Sequence, residues 1–327
     1  MAKVTVIQVV YNSRRFIEPV FSAIFRQTFK DIKVVAVISG NADKGKELIL
    51  EKFPQVEVID PGYNIGFAKG HNLVFEKYPS EFFQLVNPDL VMEPDYVEKI
   101  LEAFTDAKVG AATGKLYQFK DLSPKIEDYR TNRMLDTTGV VIAKSGRARD
   151  RGQHEIDNGQ YDACLDLEAV SAAGAMYRRS ALLAVKAPKP DAGFEYFDED
   201  FHSYWEDVDL AWRMRNAGWK SKFVPQAVGY HGRTAGSSKG GYKKVFSFIK
   251  FHQKLDPRIR QLNYRNHILM YLKNSKWYYP QFFLREFFMF CYILLFEAST
   301  LKAVPGLLKL LPKTFRKRKY SQGGAHV

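Results

Sequence analysis

Acidic and aromatic side chains alternate between Tyr196 and Trp212, in the sequence YFDEDFHSYWEDVDLAW. The acids are Asp198, Glu199, Asp200, Glu206, Asp207 and Asp209, and the aromatic residues among them are Phe201, Tyr204 and Trp205. Buried carboxylates cost free energy unless they are paired. We therefore expect this segment to serve chemistry rather than core packing. The rival interpretation is a solvated acidic cap on a helix.

The spacing of apolar residues after this segment predicts a helix. Val208, Ala211 and Trp212 fall on one helical face, and Gly218 stands where a helix would end. Because a helix N-terminus stabilises anions, we expect Glu206 and Asp207 to be ionised. A carboxylate in that state can accept the proton of an incoming hydroxyl group, as a general base does.

Strand-like and helical segments alternate over the first hundred residues. The strands are predicted at Val4–Val10, Lys33–Ile38, Val56–Ile59 and Phe82–Val86, and the helices at Arg14–Gln27, Asp43–Lys52, Phe67–Lys77 and Pro94–Phe104. Such alternation predicts an α/β fold, in which a mostly parallel sheet is flanked by helices. Ligands bind such sheets beyond the carboxyl ends of the strands.

Polar residues cluster at those predicted strand ends. They are Tyr11 and Asn12, Ser39 to Asn41, Asp60 to Asn64, and Asn87 to Asp89. Pro88 stiffens the last of these loops and holds Asp89 at the sheet edge. One carboxylate, together with pyrophosphate oxygens and water, makes a workable shell for Mg²⁺ or Mn²⁺. Taken alone, Asn-Pro-Asp is a common turn.

The segment PGYNIGFAKGHN at 61–72 has three glycines at the predicted start of a helix. They allow a tight backbone turn next to a ligand, although a plain turn before a helix explains the same pattern. The first strand–helix turn lacks GxGxxG, which argues against a dinucleotide-binding protein.

The composition is that of a globular protein with a sizeable core. The chain has 327 residues, of which 46% are hydrophobic and 14% aromatic. Its two cysteines, Cys164 and Cys291, lie far apart without metal-ligand spacing, so we expect a reducing compartment. The N-terminal residues lack the pattern of a signal peptide.

The net charge of +13 is concentrated at one end of the chain. Residues 241–327 contain 17 Lys and Arg against three acids, whereas residues 1–240 are nearly neutral. This asymmetry predicts a boundary near Gly240, after the loop-like GRTAGSSKGG. Basic charge alone would also fit a nucleic-acid-binding protein, but the acidic, aromatic segment is atypical of that class.

The C-terminal part combines aromatic, apolar and basic residues. Its longest apolar segment, Phe287–Phe296, has ten residues, short of the ~20 that span a bilayer. Seven Lys and Arg follow between Lys302 and Lys319 without an acid. This combination predicts a helix on an anionic membrane surface. The alternative is a hydrophobic helix packed on the catalytic domain.

Five motifs in order resemble the family-2 inverting glycosyltransferases of the GT-A fold. They are VVYN, NIGFAKGHN, the NPD at Asn87–Asp89, AVSAAGAMYRRSAL, and YWEDVDLAWRMRNAGW followed by VPQAVGYH. The resemblance covers nearly all of residues 3–235. Within the family the chain looks most similar to the bacterial rhamnosyltransferase-like branch, whose members build cell-wall and O-antigen polysaccharide and commonly carry NPD in place of DxD.

The resemblance implies a role for individual residues. Asp89 matches the metal-binding Asp of the DxD-type motif, and His231 matches a histidine that completes the metal shell. Asp207 matches the catalytic base, with Glu206 as its neighbour. The implied metal is Mg²⁺ or Mn²⁺, and the implied partner is a nucleotide-sugar donor.

The donor and acceptor sites are implied in the same way. The positions for contacts to the nucleotide sugar are Tyr11, Asn12, Ser39, Asn64, Lys69 and Asn87. Tyr204 and Trp205, with Phe201, are candidates for stacking on sugar faces, and core packing is the rival explanation for each. One position departs from the family, because Ser39 stands where an Asp usually reads the base. The choice of the base between thymine and uracil is therefore left open.

We expect a GT-A catalytic domain at 1–240 and a basic, helical, membrane-associating segment at 241–327. The expected activity is inverting transfer of L-rhamnose from dTDP-rhamnose to a lipid-linked glycan, at the cytoplasmic face of the cell membrane and without a nucleic-acid partner. The alternatives are a UDP-hexose-dependent transferase, a non-catalytic nucleotide-binding protein and a nucleic-acid-binding protein.

Overall fold

The computed structural model describes residues 2–123, 125–189, 193–232, 249 and 252–322. Its N-terminal part begins with alternating strands and helices. They are β1 (Val4–Val10), α1 (Arg14–Phe25), β2 (Ile32–Ile38), α2 (Gly45–Lys52), β3 (Glu57–Ile59), α3 (Gly66–Lys77), β4 (Phe82–Leu85), β5 (Leu90–Met92) and α4 (Tyr96–Glu102). The predicted strands and helices of this region are confirmed, with ends that differ by one or two residues.

Shorter elements follow before the chain returns to the sheet. They are β6 (Val109–Gln118), α5 (Ile126–Tyr129), β7 (Leu135–Thr137), β8 (Val140–Ile142), β9 (Ala148–Asp150), β10 (Asp166–Leu167), β11 (Met176–Arg178), α6 (Arg179–Val185), β12 (Ala187–Pro188), β13 (Phe194–Glu195), α7 (Glu206–Asn216) and β14 (Lys220–His231). The predicted helix at the acidic segment is α7, and Gly218 follows it with a left-handed φ of 85°.

The main sheet has the strand order β10-β14-β6-β11-β4-β1-β2-β3, with β5 and β7 paired at its side. Strands β1 to β4 are mutually parallel, and β14 runs parallel to β6. Strand β11 runs antiparallel between β4 and β6. Every residue of β1 is buried, as in a strand covered by helices on both faces. The expected mostly parallel sheet flanked by helices is thus the observed fold.

Three long helices form the C-terminal part. They are α8 (Pro257–Asn274), α9 (Pro280–Phe296) and α10 (Ala303–Ser321). Helix α8 packs on α7 through a core that contains Val208, Trp212, Met270 and Tyr271. The predicted domain boundary near Gly240 lies outside the described residues.

Helix α9 behaves differently from α8. Only Phe282 and Ile293 of its side chains are buried, whereas Phe287, Phe288 and Leu295 are 61–75% exposed. In the described part of the chain, no single helix is long and apolar enough to cross a membrane. Helices α9 and α10 reach the necessary length only as a pair, and they are bent by 116° where they meet.

Candidate active site

The ends of β1 and β2 meet in one polar loop cluster. Tyr11 is 55% exposed, and its ring lies so close to Gly40 that an added Cβ there would stand 2.7 Å from it. Asn12 adopts a left-handed φ of 44° and accepts a hydrogen bond from the Ala42 N–H at 3.0 Å. The structure thus places Tyr11 and Asn12 at the expected edge of the sheet. Their contact with a nucleotide stays a prediction.

Ser39 ties the end of β2 to the start of α3. Its buried hydroxyl donates to Asn64 Oδ1 at 2.9 Å and accepts from the Gly66 N–H at 3.1 Å. The Asn64 side chain also accepts from the Gly66 N–H, at 3.0 Å. These contacts give Ser39 a positioning role in the turn that presents Asn64.

Lys69 lies on the first turns of α3, beside that turn. Its ammonium group donates to the Tyr63 hydroxyl at 3.2 Å. The Tyr63 ring is 57% exposed, so the pair stands at the surface of the loop cluster. The contact of Lys69 with a diphosphate stays a prediction.

The NPD motif and the end of β14 converge. Strand β14 pairs with β5, which places His231 opposite Leu90 and beside the preceding loop. The imidazole Nε2 of His231 lies 3.2 Å from Asp89 Oδ1 and 3.3 Å from Asn87 Nδ2. Three side chains that the sequence separates by up to 144 residues therefore form one cluster.

A residue that sequence reasoning missed orients this histidine. Asp136, which is fully buried on β7, accepts the Nδ1 proton of His231 at 2.8 Å. The bond turns Nε2 toward Asp89 and Asn87 and fixes which ring nitrogen presents its lone pair. Asp136 lies in RMLDTTG, which has no recognisable motif, so only the tertiary structure reveals it.

Electrostatics favour a cation between His231 and Asp89. Burial alone would lower the pKa of His231, but the carboxylates of Asp89 and Asp136 raise it to about 10. The two carboxylates thus favour positive charge at Nε2 of His231. That charge is a proton here, and a divalent cation could take the place of the proton. The two ligand atoms, 3.2 Å apart, are close enough to bind one divalent cation together.

The donor set fits Mg²⁺ or Mn²⁺ only in part. Within the described ranges, no three His, Cys, Asp or Glu side chains are arranged as a complete metal cage. Asp89 and His231 would supply two ligands, and the remaining positions fall to substrate oxygens and water.

Asp207 stands at the first turn of α7. Its carboxylate accepts from the Ala172 N–H at 3.2 Å and from the Val208 N–H at 2.8 Å. The carbonyl of the adjacent Ala173 accepts from the Asn87 N–H at 2.8 Å. The AVSAAGAM segment thus links the Asn87–Asp89 loop to Asp207, a connection that the motif alone did not disclose.

The ionisation of the acidic pair differs from the expectation. Burial and the charge of Asp207 raise the pKa of Glu206 to about 8, and burial also raises the pKa of Asp207. The prediction that the helix N-terminus keeps both groups ionised is wrong for Glu206, because desolvation outweighs the helix dipole. Asp207 keeps the backbone hydrogen bonds that favour its charged form, and its role as the base stays a prediction.

Most other acids of this segment are paired, which corrects the expectation that packing cannot explain them. Asp198 contacts Lys273 of α8 at 2.6 Å and Lys317 of α10 at 2.5 Å. Asp209 contacts the same Lys273 at 2.7 Å and Arg213 at 3.0 Å. We call Asp198, Asp209, Lys273 and Lys317 the ionic core.

The loop before α7 has an unusual backbone. His202, Tyr204 and Trp205 have φ values of 63°, 71° and 75°, in the left-handed region that side chains disfavour. Gly66, also left-handed, leaves room for His202, whose Nδ1 would stand 2.5 Å from an added Cβ. Such strain persists only where the surroundings enforce it, and it is concentrated at functional sites.

The proposed acceptor residues divide into two kinds. Trp205 donates from Nε1 to Asn263 at 3.0 Å and packs edge-on against His267, so α8 holds its ring. Phe201 is 1% exposed in the core shared with α8, and it cannot stack on a sugar. Tyr204 is partly exposed beside Glu206. Its role and that of Trp205 in acceptor binding stay predictions.

An open cleft of about 440 Å³ lies beside the end of β14 but is a poor candidate for the donor site. Its walls contain none of the predicted site residues. Its buried carboxylate is already paired, since Arg130 binds both carboxylate oxygens of Glu93, at 2.8 and 2.7 Å.

Residues 5–183 match the family described as "Glycosyl transferase family 2". The match covers more than half of the chain. The chain belongs to this family. The matched residues contain the strand-end loops, the NPD motif and the AVSAAGAM segment, in the order described above.

A curated relative extends the similarity beyond the matched region. The N-acetylglucosaminyl-diphospho-decaprenol L-rhamnosyltransferase of Mycobacterium tuberculosis is 24% identical over 239 residues, which are 69% of this chain and 75% of that enzyme. Glycosyltransferase GlyA of Streptococcus pneumoniae serotype 4 is 27% identical over 122 residues, 36% of this chain and 17% of its own length. The resemblance to the rhamnosyltransferase-like branch is confirmed.

Two solved structures share the fold. The mannosyltransferase PcManGT from Pyrobaculum calidifontis, in complex with GDP-Man and Mn²⁺, has a TM-score of 0.51 at 16% identity and covers 96% of this chain and 75% of its own. GalNAc-T7 with UDP, GalNAc and Mn²⁺ has a TM-score of 0.55 at 10% identity and covers 86% and 50%. The GT-A fold is thereby confirmed.

Proposed function

We propose that this family-2 glycosyltransferase transfers L-rhamnose from dTDP-rhamnose to a lipid-linked glycan, with inversion at the anomeric carbon. The similarity to the mycobacterial rhamnosyltransferase carries the proposal. In keeping with it, the cluster of Asn87, Asp89 and His231 is joined to Asp207 through the Ala172–Ala173 backbone.

Asp207 is the base in this proposal. Its carboxylate takes the proton of the acceptor hydroxyl, and the resulting nucleophile attacks the anomeric carbon on the face opposite the nucleotide. Lys69, with its ammonium group at the loop surface, stabilises the charge that develops on the departing diphosphate. Tyr11, Asn12 and Asn64 line the edge that receives the nucleotide.

Asp89 and His231 would hold the divalent cation. The bound ion would offset negative charge on the diphosphate when the sugar leaves. Support comes from the 3.2 Å approach of their ligand atoms and from the Mn²⁺ present in both solved GT-A structures of similar fold.

A donor screen tests the proposed activity. Full-length protein would be incubated with dTDP-rhamnose, UDP-glucose, UDP-GlcNAc and GDP-mannose and a synthetic polyprenyl-diphosphate-GlcNAc acceptor, with the product followed by mass spectrometry. We expect transfer from dTDP-rhamnose only. Transfer from a UDP-sugar alone would replace the donor assignment, and nucleotide binding without transfer would contradict the enzyme assignment.

A UDP-hexose donor is the second candidate. It stays open because the hydroxyl of Ser39, at the position that the family resemblance assigns to base recognition, is bonded to Asn64 and Gly66. The base must then be read by other groups of the loop cluster.

Chelation tests the metal assignment. EDTA should abolish transfer, and Mn²⁺ or Mg²⁺ should restore it. Asp89→Ala should lose most activity at every metal concentration, because a carboxylate ligand cannot be replaced by added ion. Glu18→Ala is a matched control at an exposed carboxylate on α1. Full activity of the wild type in EDTA would contradict the proposal.

We also propose that α9 rests on an anionic membrane at the cytoplasmic face of the cell. Exposed apolar residues on α9 include Phe283, Leu284, Phe287, Phe288, Phe290, Leu294 and Leu295. Exposed cations on the neighbouring α10 include Lys309, Arg316 and Lys319. Apolar insertion and charge attraction together favour an anionic lipid surface, where a lipid-linked acceptor would also be found.

Liposome sedimentation tests this attachment. Full-length protein should bind vesicles that contain phosphatidylglycerol, and salt should weaken the binding without abolishing it. The double variant Phe287→Glu with Leu295→Glu should lose vesicle binding. Both positions are exposed, and the new carboxylates remove apolar surface and are repelled by the anionic lipid. Leu50→Glu with Leu165→Glu, at exposed positions of the catalytic part, is the matched control. Equal binding by both double variants would contradict the proposal.

A further inference from the structure

The loop that precedes the catalytic base is held by one side chain of the C-terminal part. Asn266 of α8 is completely buried. Its amide nitrogen donates to three backbone carbonyls, those of Phe201 at 2.9 Å, Ser203 at 3.0 Å and Tyr204 at 3.0 Å. Because only a donor can satisfy three carbonyls, the orientation of this amide is fixed by its partners.

Neighbouring contacts hold the rest of the loop. Arg265 donates to the Asp200 carbonyl at 2.8 Å and through Nε to the Asn266 amide oxygen at 2.9 Å. The remaining carbonyl, that of His202, accepts from the Ala68 N–H of α3 at 3.3 Å. The loop is therefore hydrogen-bonded on one side to α8 and on the other to α3.

These hydrogen bonds explain the strained backbone. His202, Tyr204 and Trp205 adopt left-handed conformations, and carbonyl directions depend on the same torsion angles. Without the Asn266 donor, the carbonyls of Ser203 and Tyr204 would lose this hydrogen bond, and that of Phe201 would keep only the Ser203 N–H and a long contact to Arg265. The loop could then relax toward ordinary torsions. Asp207 lies two residues after Trp205. Relaxation of the loop would therefore move its carboxylate away from the acceptor hydroxyl.

We propose that Asn266 is a positioning residue: it enforces the path of residues 201–205 and so places the Asp207 carboxylate against the acceptor hydroxyl. This inference rests on the proposed function, in which Asp207 is the base. It makes the C-terminal part a component of the active site as well as a support for it.

Asn266→Ala and Asn266→Asp test the proposal, since both remove the donor and the second keeps the shape. We expect kcat to fall about 10²-fold, the size of effect that an ångström-scale misplacement produces. The dissociation constant of the donor nucleotide should change less than about twofold, because the loop cluster of β1 and β2 is untouched. Asn266→Ser keeps one donor and should restore kcat to within about tenfold of wild type.

Asn216→Ala is the matched control. The Asn216 amide also donates to two backbone carbonyls of the C-terminal part, those of Asn274 at 3.2 Å and Ser321 at 2.7 Å, but at the far end of α7. It should lose comparable thermal stability and keep its kcat. An equal fall in kcat for Asn216→Ala would overturn the proposal, because any loosened contact would then suffice.

The other possible outcomes also support or overturn the positioning role of Asn266. Wild-type kcat in folded Asn266→Ala or Asn266→Asp overturns the positioning role. If neither folds, Asn266→Ser decides: a lower kcat with unchanged nucleotide affinity supports the role, and wild-type kcat overturns it. A wild-type protein that transfers no sugar contradicts the proposed function instead, so the two failures are distinguishable.

Discussion

Two groups of carboxylates lie within fifteen residues, between Glu195 and Asp209, and their surroundings differ. In the ionic core, Asp198 and Asp209 are buried against Lys273 at 2.6 and 2.7 Å. In the second group, Glu206 and Asp207 form no ion pair within the described part of the chain. One buried oxygen of Glu206, Oε2, also has no hydrogen-bond partner there.

The difference separates structural acids from reactive ones. A buried acid beside a lysine stays charged and holds two helices together. A buried acid without a cation has a raised pKa and can exchange a proton near neutral pH. Acidity in the sequence does not distinguish these cases, since the lysines are supplied 64 or more residues later.

Removal of the base should have the largest effect. Asp207→Asn keeps the shape and loses the proton acceptor, so turnover should fall by roughly 10²–10⁴ while donor binding survives. Steady-state kinetics and nucleotide titration measure the two effects. A larger loss for Glu206→Gln than for Asp207→Asn would show that the neighbouring carboxylate is the base.

Removal of a lysine from the ionic core should cost stability instead. Lys273→Met removes the cation that Asp198 and Asp209 share. Each carboxylate keeps one other cation, Lys317 or Arg213, so the free energy of unfolding should fall by about 1–3 kcal/mol. Lys276→Met, at an exposed position just after α8, is the control and should be nearly neutral. Chemical denaturation measures both. An unchanged midpoint for Lys273→Met would show that the core charges are compensated in another way.

The two groups should also give opposite pH dependence. The pKa of Glu206 is raised from 4.5 to about 8, so the folded form keeps a proton that the unfolded form loses. The protonated Glu206 therefore adds to the free energy of unfolding. This stabilisation is complete below pH 4.5 and is lost as the pH rises toward 8. Glu206→Gln should flatten that decline, by on the order of a few kcal/mol.

Asp198 works in the other direction. Burial opposes its charge, but Lys273 and Lys317 lower its pKa well below 3.8. Its contribution is present above pH 3.8, and it is lost as the pH falls below that value. Denaturation curves from pH 3 to 9 for wild type, Glu206→Gln and Asp198→Asn should separate the two limbs. A Glu206→Gln curve parallel to wild type would contradict the raised pKa.

The sequence was sufficient for the local elements and for the donor-side loops. Strands such as β1 are apolar over their full length, and the polar residues that end them could be placed at one sheet edge by topology alone. The motif order predicted that Asp89 and His231 belong together, and the structure brings them within 3.2 Å. Their role as metal ligands stays a prediction.

Contacts between distant segments could not be predicted. Asp136 has no local signal, and Asn266 is one of several asparagines on a polar-looking helix. The pairing of Asp198 with Lys317 depends on how α10 returns to α7, which composition does not encode. The charge asymmetry at Gly240 was visible, but part of the basic excess neutralises the acidic segment and only the rest is exposed.

The separation of the ionic core along the chain has a consequence for synthesis in the cell. Lys317 follows Asp209 by 108 residues, which at 5–20 residues per second takes about 5 to 20 s to translate. Until Lys317 is made, Asp198 lacks one of its two lysine partners, although Lys273 and the sheet beneath are already made. Helix α9, with its exposed apolar face, is synthesised before Lys317. The nascent chain therefore exposes the apolar face of α9 before Lys317 can complete the ionic core.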